Sequence, residues 1–168
     1  MSTLHRHSAP ARQQRLFLLF AVGAERYALD VREVAEVLPL RCLRPLPATP
    51  AWVAGLLAHR GALLPVLDIS QLLGGQPATQ RTSTRLVLVH YQPRDTTERH
   101  LLGLILERAA DTLRCAPEEF RAYGLDNPDA PYLGPVYQDA RGLVQWLRVA
   151  DLLNAEARAL LFPAGTPA

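Results

Sequence analysis

Histidine, serine, cysteine and paired acids are the side chains of this 168-residue chain that could act as bases, nucleophiles or metal ligands, and their spacing decides whether they can act together. The five histidines stand at 5, 7, 59, 90 and 100. None makes a His-x-x-x-His pair or a comparable metal-ligand spacing. His5 and His7 lie in a polar leader and read as solvated, with at most weak metal affinity. His90 and His100 bracket a polar loop and could face one another across a hairpin, which reads as a satisfied or exposed pair rather than a catalytic one. Ser70 and Ser83 are the only serines outside the leader, and neither occupies a Gly-x-Ser-x-Gly elbow. Cys42 and Cys115 are far apart and outside any Cys-x-x-Cys motif, so neither a disulfide framework nor a zinc site is indicated. Gly74-Gly75 lacks the wider glycine pattern and helix start that cradle phosphate, and reads as a turn. Glu118-Glu119 and Asp126/Asp129 read as solvated turn acids, with nothing nearby to raise one carboxyl's pKa. We therefore expect no catalytic residue and no metal site.

Composition narrows the function classes further. With 49% hydrophobic and 20% charged residues the chain should bury one core, and its length suits one domain or two very small barrels that share a core. Charged or turn residues such as Arg60, Asp68 and Glu107 interrupt every apolar run, so no membrane insertion is expected. The stretch after the leader is too short and strand-like for a secretory signal, which points to the cytoplasm. All 18 basic residues are arginine, which excludes Schiff-base lysine chemistry and a phosphate-loop lysine. They are dispersed and the net charge is only +2, which argues against nucleic acid.

The elements that must carry any site are short. Residues 1–15 form a polar, periodless tail, and strands are expected at 16–22 and 27–31 around a turn. A helical turn is expected at 32–36, a strand at 37–40, and then a proline-rich loop. Two apolar runs, 52–60 and 62–69, hinge on Arg60-Gly61 as a tight hairpin. A polar stretch at 76–84 suggests the place where two halves meet. Strands follow at 85–91, 100–107 and 108–115, then at 132–138 and 143–148. Asp151 opens a terminal helix that Pro163 ends, and 163–168 trail off. This pattern is all-β with short helices and no alternation of strand with long helix.

Residues 27–73 carry a resemblance. In order stand Phe20-Ala21-Val22-Gly23 through Val31, Val34-Ala35-Glu36-Val37, Leu46-Pro47, Pro50-Ala51-Trp52-Val53-Ala54-Gly55, His59-Arg60-Gly61 and Leu64-Pro65-Val66-Leu67-Asp68. Taken together they resemble the chemotaxis coupling, or CheW-like, family, and a looser likeness extends over 16–162. Two departures stand out. Ala58-His59 replaces the family's Asn-Leu, and Glu107 replaces an aspartate.

The resemblance implies two small five-stranded SH3-like β-barrels packed together, with a C-terminal helix, no catalysis and no cofactor. It implies two partners, the regulatory domain of a CheA-type histidine kinase and the cytoplasmic tip of a methyl-accepting chemoreceptor, with recruitment to receptor arrays. It carries receptor contacts to Val34, Glu36, Gly55 and Arg60. Each has a plainer reading beside it. Arg60 either offers its guanidinium fork to receptor oxygens or bonds its own hairpin. Glu36 pairs with a receptor cation or with a local arginine such as Arg32. Val34 reads more readily as core than as contact, and Gly55 as a point of close backbone approach. Trp52 is a possible interface anchor but reads better as a wedge between the barrels. His59 either alters receptor selectivity or occupies a turn. The alternatives to an adaptor are a small oligonucleotide-binding barrel, which needs a basic, aromatic-lined face, and a hydrolase with an unrecognised site.

Overall fold

The computed structural model describes residues 12–123 and 127–163. Most of the two expected tails, with His5 and His7, and also Asp126, lie outside those residues. The strands are β1 (Arg15–Val22), β2 (Glu25–Asp30), β3 (Val34–Pro39), β4 (Val53–His59), β5 (Ala62–Asp68), β6 (Arg85–Tyr91), β7 (His100–Cys115), β8 (Leu133–Asp139) and β9 (Gly142–Leu147). Two short helices, α1 (Ile69–Gly74) and α2 (Ala155–Leu161), complete the order.

Hydrogen bonding gathers the strands into two barrels of five. In the central barrel β3 pairs with β6, β6 with the first half of β7, that half with β5 in parallel, and β5 with β4. Arg44, downstream of β3, then exchanges two backbone hydrogen bonds with Leu56 of β4, at 2.9 and 2.8 Å, which closes the ring. The terminal barrel repeats this plan. The second half of β7 pairs with β1, β1 with β2, β2 with β9 in parallel, and β9 with β8. Here Arg121, downstream of β7, closes the ring through two bonds to Val136 of β8 at 2.8 and 2.9 Å.

Alternation along each strand supplies the cores. On β6, Leu86 and Leu88 fill the central barrel with Leu38, Leu57, Leu64 and Val66. Val87, Val89 and Tyr91, on the opposite face, join a larger cluster with Phe20, Leu29 and Leu147 from the terminal barrel. Phe17, Ala28, Phe120 and Val144 fill the terminal barrel.

Several expectations change. The helical turn expected at 32–36 is a 3-10 turn at Val31–Glu33, and β3 begins at once with Val34. The strands expected at 100–107 and 108–115 are one strand of 16 residues. It bends at Arg108, whose φ of 50° is left-handed, as it passes from one barrel to the other. Asp151 ends a 3-10 turn and does not open α2, whose cap is Asn154, accepting from the Ala157 N–H at 2.8 Å. The stretch 76–84 joins α1 to β6 inside the central barrel, so the halves do not meet there. The chain passes between barrels at Val31–Glu33 and again within β7.

Candidate functional site

The site is built around a bulge. Val34 pairs with Val89 but Glu36 pairs with Leu88, so Ala35 is an extra residue in β3. Without it, Val34 and Glu36 would share a face. With it, Val34 points with Val89 into the cluster between the barrels, and Glu36 points with Leu88 toward the central lumen. Opposite, β4 and β5 join through a two-residue loop, His59 pairing with Ala62. Arg60 and Gly61 both take left-handed φ, 48° and 80°, as the two central residues of a primed hairpin turn require. His59 follows Leu57 by two and so faces the lumen as well, at its mouth.

Three side chains therefore converge. His59 Nε2 lies 3.1 Å from Glu36 Oε2, and the Arg60 guanidinium lies 3.4 Å from both carboxylate oxygens. A carboxylate only accepts, so the imidazole carries its proton on Nε2 and donates. The His59 side chain is 9% exposed, that of Glu36 31% and that of Arg60 77%. The cluster thus grades from an enclosed imidazole to a solvated guanidinium. Arg32, suggested as a local partner for Glu36, instead holds Asp30 at 3.3 Å.

The other expected residues surround this cluster. Gly55 sits at a bulge in β4 with φ 142°, and a Cβ there would fall 2.5 Å from the Arg44 carbonyl oxygen that closes the barrel. Trp52 is half-buried against the cluster between the barrels, and its carbonyl accepts from the Asp68 N–H at 2.8 Å. Val34 is half-buried on the same cluster.

Residues set aside as non-catalytic have structural partners. His90 pairs with Leu101 and His100 with Tyr91, which puts the two imidazoles on opposite faces of the ladder. The His100 ring stacks on Phe162, centroids 4.3 Å apart. Ser70 donates to Glu107, Glu119 accepts from the Ala116 N–H, and Gly75 caps α1. Among the described residues no group of three His, Cys, Asp or Glu is placed to hold a metal ion, and no helix is long and apolar enough to cross a membrane. Tyr91 is buried and Tyr132 and Tyr137 are half-buried, leaving Tyr123 as the one large exposed aromatic ring among the described residues. No stacking face for an oligonucleotide results among the described residues.

The family model for the CheW-like domain matches residues 16–157. The chain belongs to the CheW-like family. Its relatives include the protein FrzA of Myxococcus xanthus, 40% identical over 79 residues that cover 47% of this chain and 49% of FrzA. They also include the chemotaxis protein CheW of Helicobacter pylori, 25% identical over 147 residues covering 83% and 82% of the two chains. The protein PilI of Pseudomonas aeruginosa is 32% identical over 72 residues, 43% of this chain and 40% of PilI. The match thus spans about half the length of FrzA. The crystal structure of the scaffolding protein TtCheW from Thermoanaerobacter tengcongensis shares the fold with a TM-score of 0.74 at 18% identity, covering 92% of this chain and 96% of that one.

This CheW-like domain holds one further polar site that sequence reasoning missed. Glu33, at the first passage between barrels, has an enclosed Oε2 with no hydrogen-bond partner among the described residues. It lines a cleft of about 220 Å³ with Arg94, Trp146 and Arg148. Burial, reinforced by the Asp30 carboxylate, raises its pKa from 4.5 to about 7 against the opposing pull of Arg32 and Arg94. In the sequence it looks like one more solvated acid in a polar turn, and only the packing of the barrels encloses it.

Proposed function

We propose that this CheW-like domain is a non-enzymatic adaptor that couples the cytoplasmic tips of methyl-accepting chemoreceptors to the regulatory domain of a CheA-type histidine kinase. It works in the cytoplasm, recruited to receptor arrays. The observation that carries the reading is the convergence at one barrel mouth of Glu36 and Arg60, to which the family resemblance carries receptor contacts, with His59 beside them. Polar groups of this kind fix register and partner choice while apolar surface supplies affinity. Leu63 and Leu143 stand two residues beyond the tips of the equivalent β4–β5 and β8–β9 hairpins, and both are exposed. Each barrel thereby carries one exposed leucine at the corresponding place. The output, whether motility, surface movement or another response, belongs to the pathway and not to this chain, and relatives named FrzA and PilI favour a dedicated pathway as readily as a flagellar one.

The test is titration of the full chain against a recombinant chemoreceptor-tip fragment and, separately, a kinase regulatory domain. Both should bind. Arg60→Glu should weaken receptor binding by roughly tenfold and leave kinase binding and the circular dichroism spectrum unchanged. Failure to bind either partner would sink the proposal.

A further inference from the structure

We infer that His59 is a positioning residue of the proposed receptor site: it holds the Glu36 carboxylate at the barrel mouth and so leaves the Arg60 guanidinium open to an acidic group on the partner. This rests on the adaptor reading above.

His59 cannot serve as a contact itself, because its side chain is 9% exposed and faces the lumen end. Its reach is inward, to Glu36, at 3.1 Å. Arg60 approaches the same carboxylate less closely, at 3.4 Å to each oxygen. The carboxylate is therefore shared, and the enclosed donor has the shorter bond. The bulge at Ala35 aims Glu36 at the lumen mouth, where the His59 imidazole draws the carboxylate inward, away from the exposed arginine. Arg60 stands at the tip of a primed turn with most of its five N–H donors facing water. A planar fork left in that state fits a carboxylate on a partner surface, which it can take bidentately.

An apolar residue at 59, such as the leucine of the family pattern, would remove the competing donor. Glu36 would then close fully on Arg60, and an incoming acidic group would have to displace it. The departure at Ala58-His59 thus selects for partners whose docking surface is acidic.

The experiment is titration of the full chain with the chemoreceptor-tip fragment at low and moderate salt, using wild type, His59→Leu, His59→Gln, Glu36→Gln and the Leu/Gln double variant. His59→Leu should weaken binding by roughly five- to tenfold and flatten its salt dependence. His59→Gln, whose side-chain amide can still donate to Glu36, should stay within about twofold of wild type. In the Glu36→Gln background the leucine should add no further loss, because the effect runs through that carboxylate. The thermal midpoint of His59→Leu should be equal or higher, since leucine extends the apolar lumen, and this separates binding from folding. Unchanged binding by His59→Leu, or an equal loss in both backgrounds, overturns the inference while leaving the adaptor reading intact. Absence of binding by wild type overturns both.

Discussion

At the residue scale the most consequential side chain away from the proposed site is Glu33. Its carboxyl ionises at about 7 in the folded protein and near 4.5 when unfolded, so the native state holds its proton more tightly. The stability this gives is fully present below pH 4.5 and is lost as the pH rises through about 7. Glu33→Gln keeps the shape and removes the titration. We expect its thermal midpoint to lie a few degrees above wild type at pH 8, about 1–2 kcal/mol after allowing for partial solvent access, and to converge with wild type near pH 4. Equal midpoints at pH 8 would show that the carboxylate finds water or Arg94 at no cost. Arg60-Gly61 was legible as a hairpin tip, because a two-residue primed turn demands left-handed residues and strands of matched pattern on each side. The contact between Glu36 and His59 was not. It joins residues 23 apart in sequence and depends on the extra residue at Ala35, and a one-residue slip that flips a side chain leaves no mark in the hydrophobic pattern.

At the scale of elements, closure of the central barrel rests on Gly55. Alanine there would put a Cβ 2.5 Å from the Arg44 oxygen and would also occupy a φ of 142° that side chains avoid. A loss of at least about 2 kcal/mol in unfolding free energy, measured by denaturant titration, is expected. Gly61→Ala, at φ 80° with nothing within 4 Å, should cost only about 1 kcal/mol. If the two cost the same, the close approach to Arg44 contributes nothing. For α2, Asn154→Ala removes the cap and should destabilise by about 1 kcal/mol. The helix start was misplaced at Asp151 because aspartate and asparagine cap equally well, and the choice falls to tertiary contacts. Asp151 is occupied by Arg94, at 2.8 and 2.9 Å. Strand existence and hairpin pairing were largely readable. The fusion of two expected strands into β7 was not, since Arg108-Ala109-Ala110 carries no apolar alternation where the strand changes barrel.

At the scale of the whole molecule the two barrels share one plan, but the way the ends of the chain combine is a long-range property that no local pattern encodes. β1 and β2 belong with β8 and β9, and the middle of the chain makes the other barrel. A protease site inserted in 76–84 should therefore leave both fragments associated and folded after cleavage, because β3 remains bonded to β6, and β1 and β5 to β7, across the cut. Either fragment expressed alone should be unfolded by circular dichroism, and a stable isolated fragment would contradict this topology. The same arrangement governs birth on the ribosome. The first hairpin emerges with Phe17, Leu19 and Ala28 already patterned for a lumen whose next strand beside β2, β9, is made more than a hundred residues later. At about 5–20 residues per second that hairpin waits for several seconds with an oily side uncovered, while the middle of the chain closes first. Nascent-chain chaperones would therefore meet this uncovered hairpin, and the last strand of the barrel to be synthesised releases them.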